Sequence, residues 1–226
     1  MRLTNLCVGL ILNVALVLPV RATERALDLL DVAVSYSADF TVESDQGRYN
    51  GKVWHMPGRE KRQFVTRDGE QALLLRRDTD SAYLLKPGGK WYVGLGLSAV
   101  GSLAGGIDQL TVERTRLGQG SVAGLAAIHY RVKALGPKSS RFDGEAWFSA
   151  KEGILLRAKG VLRDARGGEN EVETTLSNVR LTALDESVFE PPQGWFGMDL
   201  RSVPAERIAQ VLETMRPMLQ GRGTHQ

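Results

Sequence analysis

Cysteine is almost missing from this chain: the single one, Cys7, lies in an apolar leader. Once the leader is removed, neither a disulfide nor a thiolate metal site can form. Histidine is scarce too. His55, His129 and His225 stand far apart, so no pair places two imidazoles on one strand or helix face as a metal site requires. An excess of one charge is also lacking. Losing Arg2 and Arg21 with the leader takes the 29 basic residues to 27, against 26 acidic ones. So even a balance gives no field that would draw in a nucleic acid. No Gly-x-Ser-x-Gly elbow occurs, and no Ser/His/Asp set has local support. Gly94-Leu95-Gly96-Leu97-Ser98-Ala99 matches a relaxed dinucleotide fingerprint, with Glu113 downstream. That fingerprint works only between a parallel strand and a firm helix, whereas this one follows a run of hairpins and leads into more glycine. These absences point away from an enzyme, and no cofactor or metal is expected.

Long apolar runs are missing except at the start. Leu6 to Val20 is apolar apart from Asn13, follows Arg2, and leads into Val20-Arg21-Ala22, with small residues at the positions a signal peptidase reads. Residues 1–22 are expected to be a signal peptide cleaved after Ala22, since the run is short for the roughly 20 residues of a membrane span. Cys7 lacks the preceding small residues of a lipid-modified cysteine and leaves with the leader. An exported, periplasmic, soluble chain is the expectation.

What the chain does have is strands and tight turns. From Tyr49 to Val93, short runs of aromatic and branched residues alternate with Pro57-Gly58, Asp68-Gly69, Asp78-Thr79-Asp80 and Pro87-Gly88-Gly89. Such residues suit a pleated surface, and links this short join antiparallel neighbours only. The stretch reads as a meander. Before it, Thr23 to Tyr36 is expected to be helical, with Leu27, Leu30 and Val34 on one stripe and Thr23 as N-cap, and Ala38, Phe40 and Val42 then alternate as a strand. Gly94 to Gly106 carries Leu97, Val100 and Leu103 at helical spacing among five glycines, and reads either as a weak helical lid or as a connector lying on the core. Strands resume at Gln109 and continue to Leu181, with Ile128, Tyr130, Val132 and Ala134 alternating cleanly. Pro191 and Pro192 are expected to end the sheet, and Pro204 to Leu219 to form a second helix.

About eleven antiparallel strands are too many for a flat sheet, so the sheet must curl. The expected fold is mainly β: an incomplete, half-open antiparallel barrel with helices over its opening. Residues 23–200 form the barrel domain, and residues 201–226 a C-terminal helix and tail.

Several residues, taken in order, resemble the LolA/LolB-like superfamily of periplasmic lipoprotein carriers. They are Gly51-Lys52-Val53-Trp54 running to Pro57 and Arg62, then Asp68-Gly69, Tyr83, Lys90-Trp91-Tyr92, Gly124 with Tyr130, and Phe189-Glu190-Pro191-Pro192. The resemblance covers roughly Ala26 to Trp195 and implies an eleven-strand incomplete barrel that carries acyl chains or lipids. Where the dedicated carriers have an arginine before the proline that ends the Trp54 strand, this chain has Met56.

The candidate ligand-binding residues are the apolar ones expected to face inward, Phe40, Trp54, Tyr83, Leu85, Tyr130, Trp147 and Leu156, with Leu97 and Val100 on the gating segment. They read either as a closed core or as an acyl-chain cavity. In a cavity each buried methylene would contribute about 0.8 kcal/mol. One register slip exchanges the faces of Trp147 and Phe148. Asp78, Asp80 and the carboxylates of Glu169, Glu171 and Glu173 are expected on solvated surface. So are the basic residues Arg59, Lys61, Arg62, Arg67, Arg76 and Arg77, and the two strand histidines, His55 and His129. The expected partner is a lipid or a lipoprotein acyl chain, with envelope lipoproteins as further partners, no nucleic acid, and a monomeric mature chain. The alternative function is a non-catalytic, protein-binding or stress-sensing envelope module.

Overall fold

The computed structural model describes residues 23–45, 47–66, 69–103, 109–137, 140–163, 167–204, 207–208 and 210–211. The expected signal peptide, Arg67 and most of the expected C-terminal helix and tail lie outside these residues.

The chain runs β1 (Thr23–Arg25), α1 (Ala26–Leu30), β2 (Tyr36–Ser44), β3 (Gly47–Met56), β4 (Arg59–Thr66), β5 (Gly69–Arg76), β6 (Ser81–Lys86) and β7 (Trp91–Gly96). After α2 (Leu97–Leu103) come β8 (Thr111–Val122), β9 (Leu125–Leu135), β10 (Arg141–Ser149), β11 (Leu155–Arg163), β12 (Glu169–Leu181) and β13 (Phe196–Asp199). Among the described residues the strands form one open sheet of 13, in the order β1-β8-β9-β10-β11-β12-β2-β3-β4-β5-β6-β7-β13. Two meanders, β2–β7 and β8–β12, are thus joined where β12 pairs with β2, giving the expected half-open antiparallel barrel.

Turn chemistry explains the meanders. Ala123 and Gly124 both have positive φ, 52° and 77°, and make the two-residue link between β8 and β9, whose twist matches that of the flanking strands. Asp80 and Lys90, each at φ 49°, close the short 3-10 turns after β5 and β6. Gly144 stands opposite Gly160 where β10 meets β11. A Cβ on Gly144 would lie 2.3 Å from the carbonyl oxygen of Lys159, so side-chain-free backbone is required there.

The two ends of the sheet differ from the expectation. Thr23–Arg25 pairs with the edge of β8, leaving α1 only five residues long, with Arg25 rather than Thr23 at its N-cap position and no capping side chain. Strand pairing at the start of this segment has overridden its helical periodicity. At the other end the sheet does not stop at the prolines, because β13 adds to β7 in parallel. About a hundred residues separate the two strands, ample for the crossover that parallel pairing needs.

Cross-strand register defines two faces. On the first, which we term the helix face, lie three clusters. The central one is built on Phe40, Val53, Leu156 and Leu176. The second places Ala26 of α1 against Val112, Val132, Ala134 and Phe148. The third packs Ala99 and Val100 of α2, with Leu200 and Ile208, on Val93 and Leu95. On the other face, residues 182–195 cross β3–β7 as a strap. Phe189, at 0% exposure, is pressed onto Ala72, Leu74 and Leu85. The strap is tied down by Arg59 to Glu186 at 3.1 Å and by Arg76 to Glu190.

This corrects the reading of the basic residues as solvated surface; Asp78 is exposed, as expected, and anchors Arg59 and Arg76. Asp78 accepts from Arg59 at 3.0 Å and from Arg76 at 2.8 Å, and the Arg76 bond is the main reason its carboxyl is held below the usual range. Arg77 reaches Asp31 at 3.2 Å and donates to the Leu27 carbonyl, fastening the segment after α1 to the turn after β5.

Candidate functional site

The residues singled out from sequence do not converge on one place. Phe40 and Leu156 lie in the central cluster of the helix face, and Tyr130 borders the second cluster, edge-on to Phe148. Val100 packs in the third cluster, while Leu97 is half-buried at the start of α2. Trp54, Tyr83 and Leu85 lie on the opposite face, beneath the strap. Trp147 points away from Phe148, stacking on His129 at 4.2 Å with the Arg157 guanidinium 5.0 Å from its ring, and packs against the central cluster. Phe148 is the buried member of that pair.

What register does bring together is a different apolar track on the helix face. Pairing places Val53, Arg62, Leu73, Leu84 and Val93 side by side across β3–β7. The neighbouring row is His55, Glu60, Leu75, Ala82 and Leu95. Leu73, Leu75 and Leu84 are only half-buried and, among the described residues, belong to none of the four apolar clusters. Phe64 flanks them on the side of the central cluster, and Trp91 on the side of α2. The sequence carried a signal for this. Ala72-Leu73-Leu74-Leu75 and Tyr83-Leu84-Leu85 are continuous apolar runs, and a strand apolar at successive positions has both faces out of water.

One end of the track is polar and buried. His55, expected at the surface, is 1% exposed. Its ring stacks on Tyr36 at 5.1 Å, and its Nε2 lies 3.0 Å from the Val32 carbonyl oxygen. Asp31 accepts from the Gly58 amide at 2.8 Å and stands 3.8 Å from His55, so the residues after α1 are pinned onto the β3–β4 turn. Beside them Arg62 Nε donates to Glu60 at 2.7 Å, and its guanidinium lies 5.7 Å from the centre of the Phe40 ring. Burial pushes the Glu60 carboxyl up, but the Arg62 charge, the Arg62 hydrogen bond and the His55 ring 3.7 Å away outweigh it and bring the group down to about 2. The same carboxylate is the main cause of the raised Arg62 pKa. Tyr36 is raised chiefly by burial, with Glu60 adding to it. At this end the track therefore meets a fixed ion pair, and at the other end α2.

The clefts elsewhere are polar. One, of about 670 Å³, is lined by Glu43, Asp45, Glu145, Glu171 and Glu173 around Lys159, a setting that repels an anion. A second, of about 230 Å³, lies among Glu113, Thr115, Arg131 and Lys133. Among the described residues no group of three or more His, Cys, Asp or Glu could hold a metal ion, and no helix is long and apolar enough to cross a membrane.

No protein-family model and no curated protein matches the sequence. Solved structures do. An uncharacterized conserved protein from Thermus thermophilus is similar over 77% of this chain and 96% of its own, at 10% identity and a TM-score of 0.51. A chain of the Pseudomonas aeruginosa MucA/MucB complex matches 74% of this chain at 14% identity and a TM-score of 0.46, and the match spans only 60% of that chain. A LolA superfamily protein from Nitrosomonas europaea matches 73% of this chain and 96% of its own, at 14% identity and a TM-score of 0.39. What likeness at these identities shows is the fold alone.

Proposed function

We propose that this chain is a periplasmic carrier that binds the acyl chain of a lipid or lipoprotein on the helix face, along Leu73, Leu75 and Leu84. The observation that carries the reading is this row of half-buried leucines, outside the apolar clusters formed among the described residues and bounded by α2 and the Glu60–Arg62 pair. An acyl chain lying there would gain about 0.8 kcal/mol per methylene removed from water. Sliding along the row requires no reacting group. The preceding export segment and the likeness to LolA-like folds support the same reading.

A fluorescent fatty acid tests it. Binding to the native chain should weaken at least tenfold in Leu84→Glu, while Val65→Glu, exposed on the other face, should bind as the native chain does. Circular dichroism would check that both variants are folded. Absence of binding, or equal binding by all three proteins, would sink the proposal.

A second reading has one observation in its favour. Phe40, Leu85 and Leu156 are fully packed, as in a non-catalytic module that binds an envelope protein through its surface. A stoichiometric protein partner retained after delipidation, together with no fatty-acid binding, is the outcome that reading expects.

A further inference from the structure

The face opposite the proposed acyl track carries a cleft of different chemistry. It opens where β12 slips register against β2 between Ser177 and Arg180. The cleft holds about 210 Å³ and is lined by Ser37, Asp39, Lys52, Trp54, Asn178 and Arg180, among others. Asn178, at φ 51°, is the residue that makes the slip, and its amide donates to Asp39 at 2.7 Å. Asp39 is the one carboxylate in the lining, and that bond occupies one of its oxygens.

The cations are placed by pairing. Arg180 stands opposite Ser37, Ser37 opposite Trp54 and Trp54 opposite Lys61, while Lys52 faces Asp39 in the adjoining row. Lys61 Nζ lies 5.7 Å from the centre of the Trp54 ring. Burial holds the Lys61 pKa below its ordinary value, and the charge of Glu70 offsets only part of this. Among the described residues neither Lys52 nor Arg180 makes an ion pair, in contrast to Arg59, Arg62, Arg76 and Arg77. Cations that make no ion pair, a hydroxyl, an amide and an indole face are groups that recognise an oxyanion attached to an apolar body, and the single Asp39 carboxylate is already engaged by Asn178. The row beyond Trp54 and Lys61 continues into Leu74 and Tyr83 under the strap, so apolar surface adjoins the charges.

We propose that this cleft binds a phosphoryl oxyanion through Lys52 and Arg180, with Trp54 as its floor. The proposal does not rest on the acyl-chain reading, which concerns the other face. The anion comes from the headgroup of an anionic phospholipid or from a free phosphate ester, and two probes separate these sources. Inorganic phosphate is titrated into the full chain by calorimetry, and flotation is measured with phosphatidylglycerol and phosphatidylcholine vesicles. Flotation with phosphatidylglycerol alone identifies a lipid headgroup, whereas phosphate binding without flotation identifies the free ester. In either case the double variant Lys52→Gln/Arg180→Gln should bind at least tenfold more weakly, and Lys133→Gln, in a different cleft, should match the native chain. Failure of both probes, or undiminished binding by a folded double variant, would overturn the proposal.

Discussion

Replacing Glu60 with Gln keeps the size of the side chain and removes its charge from the end of the track. In the folded chain the carboxyl titrates at about 2, against 4.5 for the unperturbed group, and that gap corresponds to about 3 kcal/mol of folding free energy. The sign follows from a lowered acid. The stabilisation is fully present above about 4.5 and is lost as pH falls towards about 2, because the unfolded chain takes up the proton first. Arg62 limits the loss in the variant, since its side chain keeps 37% exposure and water can solvate part of the abandoned guanidinium. Near neutral pH, Glu60→Gln should therefore be less stable by about 2–3 kcal/mol. The difference should shrink as pH falls through the acid range until the two proteins converge. Urea unfolding followed by tryptophan fluorescence at several pH values measures it. A constant difference across that range, or one below about 0.5 kcal/mol near neutrality, would refute the ion-pair account of this end of the site.

Further outcomes follow from the packing. Phe189→Ala should cost about 3–5 kcal/mol in the same unfolding assay, because the ring is fully buried beneath the strap. Glu186→Gln with Glu190→Gln should cost less than about 1 kcal/mol per pair, since both carboxylates are largely exposed; a larger loss would mean that charge rather than Phe189 holds the strap. Gly144→Ala should be poorly folded or insoluble on expression, because its Cβ would meet backbone atoms on the facing strand, whereas Gly88→Ala, with open space around it, should behave as the native chain.

The meander was legible because its turns are written in local chemistry: Pro57-Gly58 and Pro87-Gly88-Gly89 leave few alternatives to antiparallel neighbours. The curl was legible from strand number. The faces were less so. Alternation assigns residues within one strand, but which face of β3 matches which face of β2 depends on pairing, and the bulges at Trp147/Phe148 and Ser177/Arg180 reset it. Trp54 and Phe40 are both aromatic, yet register puts them on opposite faces. His55 sits between Trp54 and Met56 in sequence, where alternation assigns it no buried face, and only the fold of residues 31–36 over β3 buries it. The N-terminal helix is shorter than its periodicity suggests for the same reason, since a non-local pairing with β8 competes with local periodicity.

The account stands or falls on whether an acyl chain lies against β5 and β6 on the helix face. A photoactivatable fatty acid, irradiated with the full chain and mapped by peptide mass spectrometry, reads this directly. The account predicts labelling of the peptides that carry Leu73, Leu75 and Leu84, lost in Leu84→Glu. Labelling confined to the strap peptide 182–195, or none at all, would contradict it.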